Sequence, residues 1–239
     1  MTRNVFLVTF INFFIGGCVL IVNGLKNKDL GNNSERWVKF VVYVFIVHLV
    51  LLSICYHSMI RYVCILIIGM GTTELFNAWK NSKLSPIQLV TSFCVYGIIG
   101  MFFFRFSFRG NVHEQLRLYL FVFLFDGFSQ IIGQLIGKHK LSPNISPNKT
   151  IEGTCGGFIS VLIVSLLMCR TDVQSDHVAV VFIPLLIGLF ALAGDLLASY
   201  YKRLCHIKDF SNLIPAHGGM LDRFDSFIFS GAFYCLLFI

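Results

Sequence analysis

Charged side chains are scarce in this sequence, in which only 13% of the 239 residues are Asp, Glu, Lys or Arg. Apolar residues make up 56% of the chain and include 26 phenylalanines, whereas soluble domains contain about 45–50% apolar residues. A soluble globule of this size cannot bury the excess, so the composition excludes a soluble protein. The sequence also lacks internal repeats, linkers and low-complexity tracts. We therefore expect an all-α, polytopic integral membrane protein that forms a single transmembrane domain over residues 1–239.

The eight cysteines include no CxxC pair, the usual signature of a zinc site. Most of them lie inside apolar runs, so a disulfide framework is not indicated either. Cys205-His206 together with His217 is the nearest approach to a metal cluster, and its spacing fits no zinc pattern. Neither a zinc protein nor a disulfide-stabilised protein is therefore expected.

Acidic residues are fewer than basic residues, 12 against 19, which gives the chain a net charge of +7. A basic chain can bind nucleic acid, but here the Lys and Arg residues are spread through short segments between apolar runs. A positively charged cytoplasmic face and anionic ligands explain this distribution better. We expect a lipid bilayer and no nucleic acid among the partners.

Apolar runs long enough to cross about 30 Å of bilayer as helices predict eight transmembrane spans. They cover residues 4–24, 38–56, 60–78, 87–104, 116–137, 153–169, 178–198 and 225–239. Lys and Arg are more frequent in alternate loops, which predicts an external N-terminus and places the first, third, fifth and seventh loops in the cytoplasm. The fifth and seventh loops, which carry most of the polar motifs, are thus expected on the same side.

Two carboxylates interrupt the apolar runs, and ionisable groups inside a bilayer are candidates for function. Glu74 is either such a functional group or, in the interpretation we favour, a side chain that reaches the cytoplasmic surface near Trp79 and Lys80. Asp126 lies in the middle of its run, so we expect it to face a polar cavity or to pair with Lys or Arg.

Acidic and basic residues are concentrated in one segment near the C-terminus. They are Asp195, Lys202, Arg203, Lys208, Asp209, His217, Asp222, Arg223 and Asp225, with Gly218 and Gly219 between them. Carboxylates are preferred Mg²⁺ ligands, and Lys and Arg neutralise phosphate, so this mixture suits a polyphosphate held by a divalent metal. The glycines let backbone N–H groups approach an anion closely.

Helical spacing adds detail to this site. Asp222 and Asp225 are three residues apart and share a face if the chain there is helical. They can then converge with Asp195 below the cytoplasmic interface, or they can simply cap the last helix.

The segment before residue 153 offers a second candidate anion site. Lys149 and Thr150 precede a predicted helix that begins near Ile151, and a helix N-terminus attracts anions. Thr150 can also serve as the N-cap, and both roles can hold together. Upstream, Gly133 and Gly137 have the spacing of close helix packing, with direct nucleotide contact as the alternative.

These motifs resemble those of the phosphatidate cytidylyltransferase (CDP-diacylglycerol synthase) family over roughly residues 120–230. One matching pattern consists of Ser199, Lys202, Arg203, Lys208, Asp209, Pro215, His217, Gly218, Gly219, Asp222, Arg223 and Asp225. The other is Asp126 in a Gly-rich helix followed by the run from Ser146 through Pro147, Lys149, Thr150 and Glu152 to Gly153. Ala216 is a departure, since the family usually has Gly there.

The resemblance implies that CTP and phosphatidic acid react to give CDP-diacylglycerol and pyrophosphate. It implies Asp195, Asp222 and Asp225 as Mg²⁺ ligands and catalytic residues, with Lys208 as a further catalytic residue and a second cation such as K⁺ left open. The implied substrate- and phosphate-binding residues are Asp126, Ser146, Lys149, Thr150, Lys202, Arg203, His217, Gly218, Gly219 and Arg223. For His217, a hydrogen bond that organises the loop is favoured over a role as a base, since phosphoryl transfer needs little proton chemistry.

On this interpretation residues 1–110 form membrane-anchoring, lipid-facing helices and residues 116–239 form the catalytic part. The expected location is the bacterial inner membrane, with the active site facing the cytoplasm, and a homodimer is compatible with the glycine spacing. The alternative enzyme is a related membrane protein that uses CTP with an isoprenoid phosphate, an ether-lipid phosphate or a polyprenol. A transporter is disfavoured, because it predicts inverted repeats and charges spread through several spans.

Overall fold

The computed structural model describes residues 8–10, 13–14, 17, 30–56, 59–169, 177–214 and 218–239. Over these residues the chain is mostly helical, which confirms the all-α fold class. Seven helices and one short antiparallel hairpin follow each other along the sequence. They are α1 (Leu30–Cys55), α2 (Met59–Lys80), α3 (Pro86–Arg109), α4 (Val112–Ile136), β1 (Lys140–Ser142), β2 (Ser146–Thr150), α5 (Ile151–Cys169), α6 (His177–Leu204) and α7 (Leu221–Phe238).

Seven of the eight predicted apolar runs coincide with these helices, and most of the run 4–24 lies outside the described residues. Five helices in the described ranges, α2 to α6, are long and apolar enough to cross a membrane. The apolar part of α1 is the shorter stretch Phe40–Cys55, and α7 carries three charged residues in its first two turns. The structure therefore supports a polytopic membrane protein, while the expected number of eight spans is not confirmed.

The distribution of side chains is that of a protein surrounded by lipid. Large apolar residues such as Phe45, Met101 and Leu166 are exposed on the outer faces of the helices, whereas Glu74 and Gln115 are buried. Apolar groups on the outside cost nothing in hydrocarbon, and polar groups in a bilayer protein face the interior of the bundle. This arrangement agrees with an integral membrane protein.

Local sequence signals set the beginnings of two helices. At α3, Ser85 Oγ accepts a hydrogen bond from the N–H of Gln88, while Gln88 Oε1 accepts one from the N–H of Ser85. At α4, Asn111 and Glu114 form the same reciprocal capping box. Each box satisfies backbone donors that have no partner within the helix, and so fixes where the helix begins.

The core between α3, α4 and α7 is aromatic. The ring of Phe227 in α7 packs edge-on against Phe103 of α3 and Tyr119 of α4, with centroid distances of 5.1 and 5.0 Å. Phe106 makes a similar contact with Tyr234 at 5.6 Å. These contacts attach the last helix to the earlier part of the chain and set its rotation.

The hairpin and the loop after α6 meet at one end of the bundle. Arg203, at the end of α6, donates a hydrogen bond of 3.1 Å from Nε to the carbonyl oxygen of Ile145 in the hairpin turn. Helix α4 ends and α5 begins beside this hairpin, and α7 begins beside the loop after α6. The prediction that the fifth and seventh loops lie on the same side is therefore confirmed.

Glycines allow α4 and α5 to pack closely below the hairpin. A Cβ built on Gly153 would lie 3.0 Å from the Cα of Gly133 and 2.4 Å from the carbonyl oxygen of Ser129. Gly137 follows at the end of α4, where a Cβ would lie 2.6 Å from Thr150 Oγ1. Of the two roles considered for Gly133 and Gly137, the structure shows the packing role.

Helices α6 and α7 also approach closely, at Gly194. A Cβ built on this residue would lie 2.6 Å from the Cβ of Phe229 and 2.8 Å from the carbonyl oxygen of Asp225. Both distances are shorter than real Cβ contacts, so any larger residue must push the two helices apart. Gly194 therefore brings the backbone beside Asp195 against the backbone of Asp225.

We expect Gly194→Ala to lower the free energy of unfolding by about 1–3 kcal/mol, the usual cost of overpacking a closely packed site. Gly97→Ala in α3 is the matched control, because nothing lies within 4 Å of a Cβ built there. That control should be neutral or slightly stabilising, since Ala favours helix more than Gly does. Thermal unfolding of both variants in one detergent measures the difference, and equal melting temperatures would contradict the close-approach argument.

Candidate active site

A lysine from the hairpin pairs with one carboxylate and is affected by the charges of two others. The ammonium of Lys149 in β2 pairs with Oδ2 of Asp195 in α6, and each side chain is about a quarter exposed, 23% and 25%. Burial by itself lowers the pKa of Lys149, but the charges of Asp195, Asp126 and Asp225 outweigh it and raise the pKa above its ordinary value. Lys149 thus stays protonated. We call the three residues whose negative charges act on it, Asp126, Asp195 and Asp225, the carboxylate cluster.

Asp225 is a member of this cluster with an unsatisfied carboxylate oxygen. It is 8% exposed, and its Oδ1 accepts a hydrogen bond of 2.7 Å from the N–H of Ser226. In the part of the chain that the structure describes, its buried Oδ2 has no hydrogen-bond partner. A buried carboxylate oxygen without a partner is unfavourable, and such an oxygen beside other carboxylates is suited to binding a hard cation such as Mg²⁺.

Asp222 has a different environment, although it lies only one turn before Asp225. Its Oδ1 lies 2.6 Å from the ammonium of Lys202, and this side-chain pair is buried, with exposures of 2% and 10%. Its Oδ2 accepts hydrogen bonds of 2.8 Å from the N–H groups of Phe210 and Gly219. With three donors already in place, Asp222 holds the loop before α7 against the end of α6.

Asp222 thus pairs with Lys202, whereas the charges of Asp195 and Asp126 act on Asp225. Among the described residues, no three His, Cys, Asp or Glu side chains are spaced so that they could hold a metal ion. The predicted helix is present, since α7 begins at Leu221 and includes both aspartates. These two aspartates nevertheless contact different neighbours. The assignment of all three as Mg²⁺ ligands stays a prediction.

Two of the cationic residues are engaged by the protein itself. Lys202 pairs with Asp222 and also lies 5.4 Å from the centre of the Phe210 ring. Arg203 binds carbonyl oxygens on both sides, at Ile145 in the hairpin and at Ile207 in the following loop. These contacts make both residues connectors between loops, and their predicted contacts with phosphate are not tested.

Helix α6 ends in a tight turn that directs the following loop towards these residues. His206 has a positive φ of 56°. The N–H of Ile207 donates to the carbonyl oxygen of Lys202, and the N–H of His206 donates to the carbonyl oxygen of Arg203. This pair of bonds is a Schellman motif, which satisfies the last carbonyls of the helix. Lys208 and Asp209 follow in exposed positions, and neither forms an ion pair within the described ranges.

The glycines before α7 are engaged by groups of the protein itself. Gly218 has a φ of +83°, a value that side chains rarely adopt, and its carbonyl accepts a hydrogen bond from the N–H of Ile214. The N–H of Gly219 donates to Asp222, and those of Met220 and Leu221 donate to Glu74. Gly219 thus donates to a carboxylate of the protein itself, and the predicted approach of these glycines to a ligand anion stays a prediction. His217 lies outside the described residues, so both roles considered for it stay predictions.

Glu74 is a residue whose role sequence reasoning missed. The interpretation that it reaches the surface is wrong, because the residue is only 5% exposed and its carboxylate caps the N-terminus of α7. Two signals were available in the sequence, namely an acidic residue within an apolar run and a final helix that starts at Met220-Leu221 without a capping side chain of its own. Nothing in the sequence joined the two, since they are separated by 146 residues.

The residues before α5 have structural roles. Thr150 Oγ1 accepts a hydrogen bond of 3.1 Å from the N–H of Gly153, so Thr150 caps the helix as the N-cap alternative predicted. Glu152 accepts hydrogen bonds from the N–H groups of Lys138 and His139 and fixes the start of the hairpin. Ser146 pairs with Ser142 at the other end of the hairpin. Lys149 is the residue of this segment that reaches the carboxylate cluster.

A cavity between α1, α4 and α7 adjoins the cluster. Aromatic and aliphatic side chains such as Tyr43, Tyr119 and Phe227 line most of it, and its lining includes Asp126 and Arg223. Asp126 thus contributes to both the cavity and the carboxylate cluster, which agrees with the expectation that it faces a polar space or a cationic partner.

The fold and the site together define an integral membrane protein with a cluster of carboxylates and lysines at one end of its helices. The sequence profile of the Cytidylyltransferase family matches residues 5–239, so the chain belongs to this family. Proteins named phosphatidate cytidylyltransferase from Staphylococcus haemolyticus and Staphylococcus aureus are 41% identical to it over 143 residues, which is 58% of this chain and 55% of theirs. The protein of that name from Staphylococcus epidermidis is 38% identical over the same length. The matched region thus spans about half the length of these curated relatives.

Proposed function

We propose that this protein transfers the cytidylyl group of CTP to phosphatidic acid and produces CDP-diacylglycerol and pyrophosphate. The observation that carries the proposal is the cluster of Asp126, Asp195 and Asp225 around Lys149, at the end of a helical bundle of the Cytidylyltransferase family. The names of the staphylococcal relatives support the choice of phosphatidic acid as the acceptor.

In this reaction a phosphate oxygen of the lipid attacks the α-phosphorus of CTP, a new P–O bond forms, and the bond to the β-phosphate breaks as pyrophosphate leaves. The attacking oxygen is already an anion, so the protein does not need to supply a general base. Its main task is to place two anionic substrates side by side and to offset their repulsion. Lys149 and Arg223, whose positive charges both act on Asp126, are suited to that task.

Asp195 and Asp225 are the residues that would hold Mg²⁺, and the unpaired Oδ2 of Asp225 is the observation that fits a cation. A bound Mg²⁺ supplies positive charge for the phosphates and the leaving group. Asp126 contributes further negative potential beside these two residues. Lys149 offsets the charge of the cluster through its pair with Asp195.

The position of the site suits the two substrates. Asp126 and Asp195 lie in the C-terminal halves of two helices of membrane-spanning length, so a lipid headgroup can enter from the leaflet while CTP enters from water. The higher content of Lys and Arg in the loops at this end supports a cytoplasmic location, where CTP is available. The bacterial relatives support the plasma membrane as the membrane concerned.

The test is CTP-dependent release of pyrophosphate by the purified protein in detergent with Mg²⁺, with and without phosphatidic acid. We expect release only when both CTP and phosphatidic acid are present. Release with an isoprenoid phosphate or an ether-lipid phosphate instead, or release of CDP with a polyprenol, would replace the proposed acceptor. A folded preparation that is inactive with every one of these acceptors would overturn the proposal.

A further inference from the structure

The carboxylate of Glu74 in α2 is bound to the start of α7, far away in the sequence. Its Oε1 accepts hydrogen bonds from the N–H of Met220 at 2.8 Å and from Oγ of Ser211 at 2.6 Å. Its Oε2 accepts one from the N–H of Leu221 at 2.7 Å. A carboxylate at a helix N-terminus satisfies free N–H groups and interacts favourably with the helix dipole.

The surrounding chain is shaped around this carboxylate. A Cβ built on Gly219 would lie 2.5 Å from Oε1 of Glu74, so glycine at this position leaves room for the carboxylate. The side chain of Ser211 brings the middle of the loop to the same group. Glu74 therefore joins α2, the loop before α7 and the first turn of α7 at one point.

That first turn determines where the site residues lie. Asp222 follows Leu221 directly, and Asp225 lies one turn further along the same helix. The N–H of Gly219, next to the group bound by Glu74, donates to Asp222. A shift or rotation of the start of α7 must therefore move both aspartates relative to Asp195 on α6.

We propose that Glu74 is a positioning residue for the cytidylyl transfer, which fixes the start of α7 so that Asp225 stays packed against α6 beside Asp195. The inference rests on the proposed function, because it assigns Glu74 to the same site. Glu74 does not touch the carboxylate cluster in the structure, so it acts through α7 and not on the substrates.

Glu114, another carboxylate at the start of a helix, provides a matched control for Glu74. Glu114 also accepts a hydrogen bond from a backbone N–H at the start of a helix, here α4 at Asn111. That helix start is at the opposite end of the bundle from the carboxylate cluster, since α4 reaches the hairpin only at its C-terminal end. Both changes replace a carboxylate at a helix start by an amide, so an effect that comes only from the charge at the helix dipole should be alike in Glu74→Gln and Glu114→Gln.

The experiment measures pyrophosphate release and Mg²⁺-dependent melting for wild type, Glu74→Gln, Glu74→Asp and Glu114→Gln. We expect Glu74→Gln to lower kcat by about 10- to 100-fold, the range found when the support of a metal ligand is removed, while KM for CTP changes by less than about 3-fold. The Mg²⁺ concentration that gives half of the maximal rise in melting temperature should increase by about 10-fold. Glu74→Asp should recover part of both losses, and Glu114→Gln should show neither.

Ser211→Ala is a milder variant in case Glu74→Gln does not fold. It removes one of the donors to the same carboxylate and should lower kcat by about 3- to 10-fold, the effect of one hydrogen bond. A kcat and a Mg²⁺ response that match those of Glu114→Gln would overturn the inference, even if the melting temperature falls. An inactive wild type would instead overturn the proposed function, and the Mg²⁺-dependent melting would still test the position of Asp225.

Discussion

Asp225→Asn is expected to reduce CTP-dependent pyrophosphate release by at least about 10²-fold, the typical cost of removing one preorganised electrostatic group from an active site. The replacement keeps the size of the side chain but removes the negative charge that a cation or a metal-bound substrate needs. The Oδ2 atom of Asp225 is buried and, among the described residues, has no hydrogen-bond partner. Within the described ranges, no hydrogen bond depends on that oxygen.

The same variant should not lose stability, and this combination makes the prediction specific. Asp225 is buried beside the like charges of Asp195 and Asp126, so its charge is unfavourable for the fold when no cation is bound. Neutralising it should leave the melting temperature in Mg²⁺-free detergent unchanged or higher, as often happens when a residue kept for function is replaced. Melting curves and pyrophosphate release on one preparation provide the check. Full activity would show that the reaction does not need the charge of Asp225, and a melting temperature that falls with the activity would show that Asp225 supports the fold.

Breaking the Lys202–Asp222 pair should have the opposite effect on stability from Asp225→Asn. Lys202→Met leaves the carboxylate of Asp222, which is 2% exposed, without its cationic partner. Removing one member of a buried ion pair costs about 3–5 kcal/mol, because the remaining charge stays in a poorly solvated place. The expected result is a large decrease in the free energy of unfolding, measured by thermal or denaturant unfolding in detergent.

Lys83→Met is the control for this prediction, since Lys83 is exposed and exposed charges contribute little to stability. The double variant Lys202→Met with Asp222→Asn should recover part of the loss, because it removes the charge that Lys202→Met leaves unpaired. An equal effect of Lys202→Met and Lys83→Met would show that the pair contributes nothing to the fold. Together with Asp225→Asn, these variants separate the two aspartates of α7 by the sign of their effect on stability.

The division between these two aspartates changes the interpretation of the C-terminal motif. A pattern with Asp at positions 222 and 225 suggests two equivalent ligands. In the structure, Asp222 binds the loop and Asp225 belongs to the carboxylate cluster. The cluster is completed by Asp126, which comes from the other matching segment. The two segments therefore contribute to one site, and the hairpin residue Lys149 connects them.

Much of the fold could be read from the sequence. Apolar runs of sufficient length predict helices, because a bilayer leaves the backbone few other ways to satisfy its hydrogen bonds, and seven such runs became α1 to α7. Thr150 was predicted as an N-cap, and Gly133 and Gly137 as packing glycines. Local chemistry determined these features, so they did not depend on distant residues. The membership of the Cytidylyltransferase family also follows from the sequence, through the order and spacing of its charged residues.

The tertiary structure alone decided which of those charged residues meet. A sequence gives the height of a side chain along its helix, but the rotation of each helix depends on packing with its neighbours, as with Phe227 between Phe103 and Tyr119. That rotation turns Asp225 towards Asp195 and leaves Asp222 with Lys202. It also brings Glu74 to the start of α7 across 146 residues. Spacing along the chain carries no information about such contacts, because they form only when separate helices pack together.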